Sequence, residues 1–166
     1  DGAAKALTVL DRCVRLSPRA RPCWTARAQR RVDAAEYVAA AQDAQRALAI
    51  DDDDAVSAVL RAVALTRLPA ASPEAEGAAR RAVELAPDDA RATLALAMAL
   101  DARGDAEGAR AALRRSIERS PTLDARLLET TLALRATDVA GARRAVMAAL
   151  ALGPDDPRAT YNLGVV

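Results

Sequence analysis

Apolar residues recur along the chain at spacings of three and four, as in Leu94, Leu96, Ala97, Met98 and Leu100. That period belongs to helices that meet neighbours on more than one side. Breakers fall between the periodic segments. Gly104-Asp105 and Thr137-Asp138 suit short inner turns, and Ser72-Pro73-Glu74 reads as N-cap, first helical residue and first-turn acid, with Asp156-Pro157 playing the same part later. On this register all eight prolines avoid helix interiors. The pattern predicts antiparallel helix pairs joined by short loops.

The pairs repeat. Turn-like sites at Pro18, Asp52, Pro87, Pro121 and Pro154 are separated by 34, 35, 34 and 33 residues. Four residues before each stands an aliphatic residue: Val14, Leu48, Val83, Ile117 and Leu150. Twelve residues before each stands Ala6, Ala40, Ala75, Ala109 or Ala142. With the turn residue set at position 32 of the unit, Trp24 takes position 4, and Leu163-Gly164 take positions 7 and 8. Position 8 elsewhere is Ala28, Ala62, Ala97 and Thr131, while position 27 is Cys13, Ala47, Ala82, Ser116 and Ala149. Small residues at these two places let paired helices approach closely.

A helix-turn-helix period near 34 with these marks resembles the tetratricopeptide repeat family. The resemblance covers the whole chain and implies an all-α, right-handed superhelical solenoid of antiparallel helix pairs. Its register makes residues 1–18 the second helix of one repeat, 19–52, 53–87, 88–121 and 122–154 full repeats, and 155–166 the start of another. Solenoid ends normally carry polar capping faces. Tyr161 to Val166 is not polar, so the parent protein is expected to continue.

Composition narrows the chemistry. Ala supplies 45 residues, Phe none, and Trp and Tyr together three, so the core must be small and aliphatic. Histidine is absent, which removes the commonest general base and the commonest transition-metal ligand. No phosphate-binding loop, dinucleotide turn, nucleophile elbow or metal motif occurs. We therefore expect no enzyme, no cofactor and no metal. The run Asp51 to Asp54 lacks the alternating oxygen ligands and terminal Glu of a calcium loop and reads as a helix cap. A net charge of +1 without a basic block gives no electrostatic footprint for nucleic acid, and without an apolar run of about 18 residues no membrane insertion is expected. Of the 24 basic residues 23 are Arg, a bias that together with the alanine excess points to a high-GC bacterium. Cys13 and Cys23 stand near the facing ends of successive helices, within reach of a disulfide. Reduced thiols are expected, and the bacterial cytoplasm is favoured over the periplasm, whereas a linked pair would point to an oxidising compartment.

Three arginines sit where the family carries buried residues: Arg27 and Arg61 at position 7 and Arg31 at position 11. They read as an ion-pair seam, with a binding patch as the alternative. In the family the first helices line a concave groove through positions 2, 5, 9, 12 and 13. Transferred to this chain, positions 2, 5 and 9 are Pro22, Thr25 and Gln29, then Val56, Val59 and Val63, then Arg91, Leu94 and Met98, then Ala125, Leu128 and Leu132, and last Arg158, Tyr161 and Val165. The middle of this stripe is apolar. The resemblance thus implies a non-catalytic scaffold that holds an apolar or amphipathic peptide or helix, with Val56, Val59, Val63, Arg91, Leu94, Met98, Leu128, Leu132, Arg158 and Tyr161 as the contacts. The alternative is that other domains of the parent chain cover the stripe. Rival functions are a regulatory or assembly arm of a multidomain enzyme such as a kinase, or of a secretion or outer-membrane component. RNA binding ranks third, because base-reading positions would have to be polar where Val59, Leu94 and Leu128 stand. If the groove is open, Leu94→Asp or Leu128→Asp should abolish partner capture and leave stability nearly intact.

Overall fold

The computed structural model describes residues 2–68 and 72–166. Among these residues the chain forms ten α-helices and no strand. They are α1 (Gly2–Leu16), α2 (Arg21–Asp33), α3 (Tyr37–Leu48), α4 (Ala55–Thr66), α5 (Ala75–Leu85), α6 (Ala90–Ala102), α7 (Ala106–Arg119), α8 (Leu123–Arg135), α9 (Val139–Leu152) and α10 (Pro157–Val165). Each helix packs on the next, and the even-numbered helices also stack laterally, α2 on α4, α4 on α6 and α8 on α10. The result is the expected all-α solenoid, with the even-numbered helices as its inner layer.

Alanine decides how tightly the layers close. Ala28, Ala62 and Ala97 on the inner helices, and Ala47, Ala82 and Ala149 on the outer ones, expose no surface at all. A methyl group at each contact lets backbones approach and keeps high helix propensity at the same time. The largest fully buried side chains are only Leu60, Val59 and Val146, so the core is assembled from many small contacts.

Helix ends follow local chemistry. Asp54, Asp105, Thr122, Asp138 and Asp156 each accept a backbone hydrogen bond from the first turn of the helix they precede. Three inner turns share one geometry: the amides of Glu36, Asp105 and Asp138 donate to the carbonyls of Arg31, Leu100 and Ala133 at 2.8, 3.0 and 2.9 Å. That six-residue closure needs one left-handed residue, which is Gly104 in one turn and Ala35 and Thr137 in the others. The expected start of α5 is corrected. The helix begins at Ala75, with Glu74 at the cap position, while Ser72 Oγ accepts from the Glu74 amide in the preceding turn. Pro69 lies outside the described residues. The remaining prolines occupy loops or the first turn of a helix.

The arginine seam is an ion-pair network. Arg27 donates to both carboxylate oxygens of the buried Asp43 at 2.7 and 2.6 Å and to Asp11 at 2.8 Å, and Arg31 donates to Asp43 at 2.8 Å. The guanidinium of Arg27 also lies 5.0 Å from the centre of the Trp24 ring. Arg61 pairs with Glu74.

The expectation of reduced thiols is corrected as well. Cys13 and Cys23 are disulfide-linked with a Cα–Cα distance of 5.8 Å. The antiparallel return from α1 to α2 brings the last turn of one against the first turn of the other, and the Trp24 indole, donating to the Pro18 carbonyl at 2.9 Å, pins the loop between them. The intact mass of the non-reduced protein should therefore be lower than that of the reduced protein by two hydrogen atoms. Reduction should destabilise the α1–α2 pair by about 2–3 kcal/mol, as expected for closure of so short a loop. A free-thiol titration that finds both cysteines reactive would contradict the link.

Candidate functional site

The inner helices place the predicted residues in three different environments. Val59, Leu94 and Leu132 are only 1, 8 and 3 % exposed. This corrects the open stripe. Val59 belongs to one core cluster with Ala92 and Ala95 of α6, and Leu94 belongs to another with Ala125 of α8. Val59 fills the seam where α4 and α6 lie side by side, and Leu94 is buried in the cluster that joins α6, α7 and α8 instead of facing the groove.

Val63, Met98 and Leu128 are half-buried, packed against the core on one side and open on the other. Val56 and Tyr161 are exposed, at 49 and 72 %. Arg91 and Arg158 are exposed too, each held by the aspartate that caps its own helix: Arg91 to Asp89 at 2.7 Å and Arg158 to Asp156 at 3.0 Å.

Four of the ten residues converge. Val63, Arg91, Leu94 and Met98 line a pocket of about 220 Å³ between α4, α6 and the start of α8, joined by Thr66, Arg67, Thr122 and Asp124. Its floor is apolar and its rim is charged. Arg67, at the end of α4, donates to Asp124 at 2.6 Å, and Arg158 donates to the other oxygen of the same carboxylate at 2.9 Å. Asp124 therefore ties α4, α8 and α10 together. Val56, Val59, Leu128, Leu132, Arg158 and Tyr161 lie outside this pocket.

Sequence reading missed Thr66, Arg67, Thr122 and Asp124. The first two occupy positions 12 and 13 of their unit, which the family uses in its groove, so their signal was present. Asp124 had none, because its partner Arg67 stands 57 residues away.

Electrostatics fix the rim. Burial opposes the charge of Asp124, but the hydrogen bond and charge of Arg67, and then those of Arg158, outweigh it and hold the carboxyl below its usual range. Asp54 is depressed in the same way, burial being outweighed by Ser57 and Arg21, and Asp89 likewise by Arg91. A pocket of this size is below the usual range for a small-molecule site, roughly 300–1,000 Å³. It suits one or two side chains of a longer ligand.

Comparison with known proteins agrees with the fold. The model of the tetratricopeptide repeat family matches residues 58–124 and 127–166. No curated protein sequence matches the chain. Among solved structures, TTC0263, a thermophilic TPR protein of Thermus thermophilus, superposes with a TM-score of 0.75 at 18 % identity over 98 % of this chain and 89 % of that one. YrrB, described as a TPR protein with an unusual peptide-binding site, gives 0.69 at 20 % identity over 96 and 82 %. Human IFIT1, solved as a dimer with m7Gppp-AAAA, gives 0.76 at 19 % identity, covering 98 % of this chain but 40 % of its own. At these identities the likeness is one of fold.

Two measurements follow from the burial and charge at this site. Leu94→Asp should cost about 3 kcal/mol or more, since it places a carboxylate in a closed seam. Tyr161→Asp should change stability by less than about 0.5 kcal/mol, as judged by denaturant unfolding. The depressed carboxyls set a pH dependence. Their folded values lie below the unfolded aspartate value of about 3.9, so the stability they contribute is complete above that value and is lost as pH falls through the folded values. Urea midpoints should stay level from about pH 7 to 5 and drop below about pH 4, and the drop should be shallower in Asp124→Asn.

Proposed function

The chain belongs to the tetratricopeptide repeat family, and from that premise we propose that it is a non-catalytic scaffold whose inner face grips an apolar or amphipathic peptide or helix. Solenoids of this family are protein-interaction scaffolds. The finer reading rests on the pocket between α4, α6 and α8, where Val63, Leu94 and Met98 form an apolar floor under the charged rim of Arg67, Arg91 and Asp124. An apolar anchor side chain of the ligand enters that pocket, and Arg91 and Arg67 orient the segment through its acidic groups. Flanking contacts come from the half-buried Leu128 and the exposed Val56 and Tyr161. The repeat units remain those of the sequence register, 19–52, 53–87, 88–121 and 122–154.

RNA is not favoured at this face. Arg67, Arg91 and Arg158 are each already paired with an aspartate, which leaves little free positive charge for a phosphate backbone.

Selection of a random peptide library on the immobilised chain should enrich apolar or amphipathic sequences. Their affinity, read by fluorescence anisotropy, should fall at least about tenfold in Met98→Asp and in Val63→Asp, with helix content unchanged. Peptides that bind both variants as tightly as the unmodified chain would overturn the assignment.

A further inference from the structure

The largest unexplained concentration of charge lies away from the groove. α7 and α9 carry six arginines against two glutamates, a net of +4 in a chain whose total is +1. Between these two helices runs a cleft of about 610 Å³, floored by α8. Arg126, Glu129, Ala133 and Ala136 line it at spacings of three and four, about 100° round α8 from the stripe through Leu128 that faces the groove. Leu132, assigned to the groove by the family register, lines this cleft, whereas Leu128 does not. α7 meets α8 less extensively than α3 meets α4, which leaves the cleft open.

Its floor is apolar, through Leu113, Ile117, Leu132 and Ala145, and its walls are basic, through Arg110, Arg114, Arg126 and Arg144. Three acids share the lining with the four arginines, which leaves it a net charge of +1. Glu129 is taken by Arg126 at 2.8 Å, and Asp138 is occupied as the cap of α9. Glu118 stands at the edge. Arg114 and Arg144 meet no carboxylate among the described residues, and the bond that Arg110 makes is a long one, 3.4 Å to the Leu132 carbonyl. The Nε of Arg126 is buried with no acceptor.

We propose that the α7–α9 cleft is a second binding surface, for an acidic peptide segment interspersed with apolar side chains. Its carboxylates pair with Arg114, Arg144 and Arg110, and its apolar side chains rest on Leu113 and Ile117. Paired guanidinium–carboxylate contacts at a partly dry surface give the segment its orientation, and the open mouth makes the attraction sensitive to salt.

The test uses the full chain and two fluorescein-labelled peptides, one with pairs of glutamates alternating with leucines and one with lysines in place of the glutamates. The glutamate peptide should bind, more weakly as salt rises, and the lysine peptide should not. Arg114→Glu with Arg144→Glu should weaken the glutamate peptide at least about tenfold. Both arginines are exposed and unpaired, so helix content should persist; if it does not, Arg114→Ala with Arg144→Ala takes its place with the same expected loss. Met98→Asp should leave this affinity unchanged, which separates failure here from failure of the groove assignment. The proposal is overturned if the glutamate peptide does not bind, if both peptides bind alike, if the arginine variants bind unchanged, or if a single-stranded RNA binds this surface more tightly than the glutamate peptide.

Discussion

Close contact between helices through alanine is the constraint on which the other features depend. With Ala28, Ala62 and Ala97 fully buried on the inner helices, neighbouring backbones approach until nothing larger fits between them. Val59 is drawn out of the groove into the seam between α4 and α6, and Leu94 into the cluster that joins α6, α7 and α8. The concave face is left with the half-buried residues one turn further on, Val63 and Met98, and with a small pocket instead of a continuous apolar trough. An alanine core also yields little apolar burial per contact, because a methyl group removes little surface from water. Cohesion must then come from many such contacts and from polar links between neighbouring units.

Arginine and carboxylate supply those links. Asp43 gathers Arg27 and Arg31 within one unit, while Arg67, Asp124 and Arg158 span three inner helices across the groove. Further pairs join successive outer turns, Arg81 to Asp53 and Arg119 to Asp88. Exposed pairs of this kind each contribute little to stability. They engage most of the arginines among the described residues; Arg114 on α7 and Arg144 on α9 are among those left without a carboxylate, as are Arg19 and Arg46 elsewhere.

Much of the fold was legible in the sequence because the repeat imposes it. The 34-residue spacing, the alanines at positions 8 and 27, the inner turns at Gly104-Asp105 and Thr137-Asp138, and the cap at Asp156 are local signals, and each appears in the structure where the pattern put it. The candidate site was legible only in part. A 3.6-residue period places Val59, Val63, Leu94 and Met98 on one stripe of their helices, yet it does not tell how near the next helix stands, and that distance separates core from groove. Asp124 escaped for a different reason. Its role depends on Arg67, two inner helices away, and no local pattern encodes that pairing. The cysteines sat at readable distance, but their redox state is not written in their spacing.

If alanine contact governs the architecture, enlarging it must be felt throughout. Ala62→Leu and Ala97→Leu, compared with Ala102→Leu at an exposed site, test this by equilibrium urea unfolding. The two buried substitutions should each lower stability by about 1–3 kcal/mol, while Ala102→Leu should leave it unchanged. Wild-type stability in the Ala62 and Ala97 variants would mean that the helices are not held at the spacing on which the seams, the pocket and the groove depend.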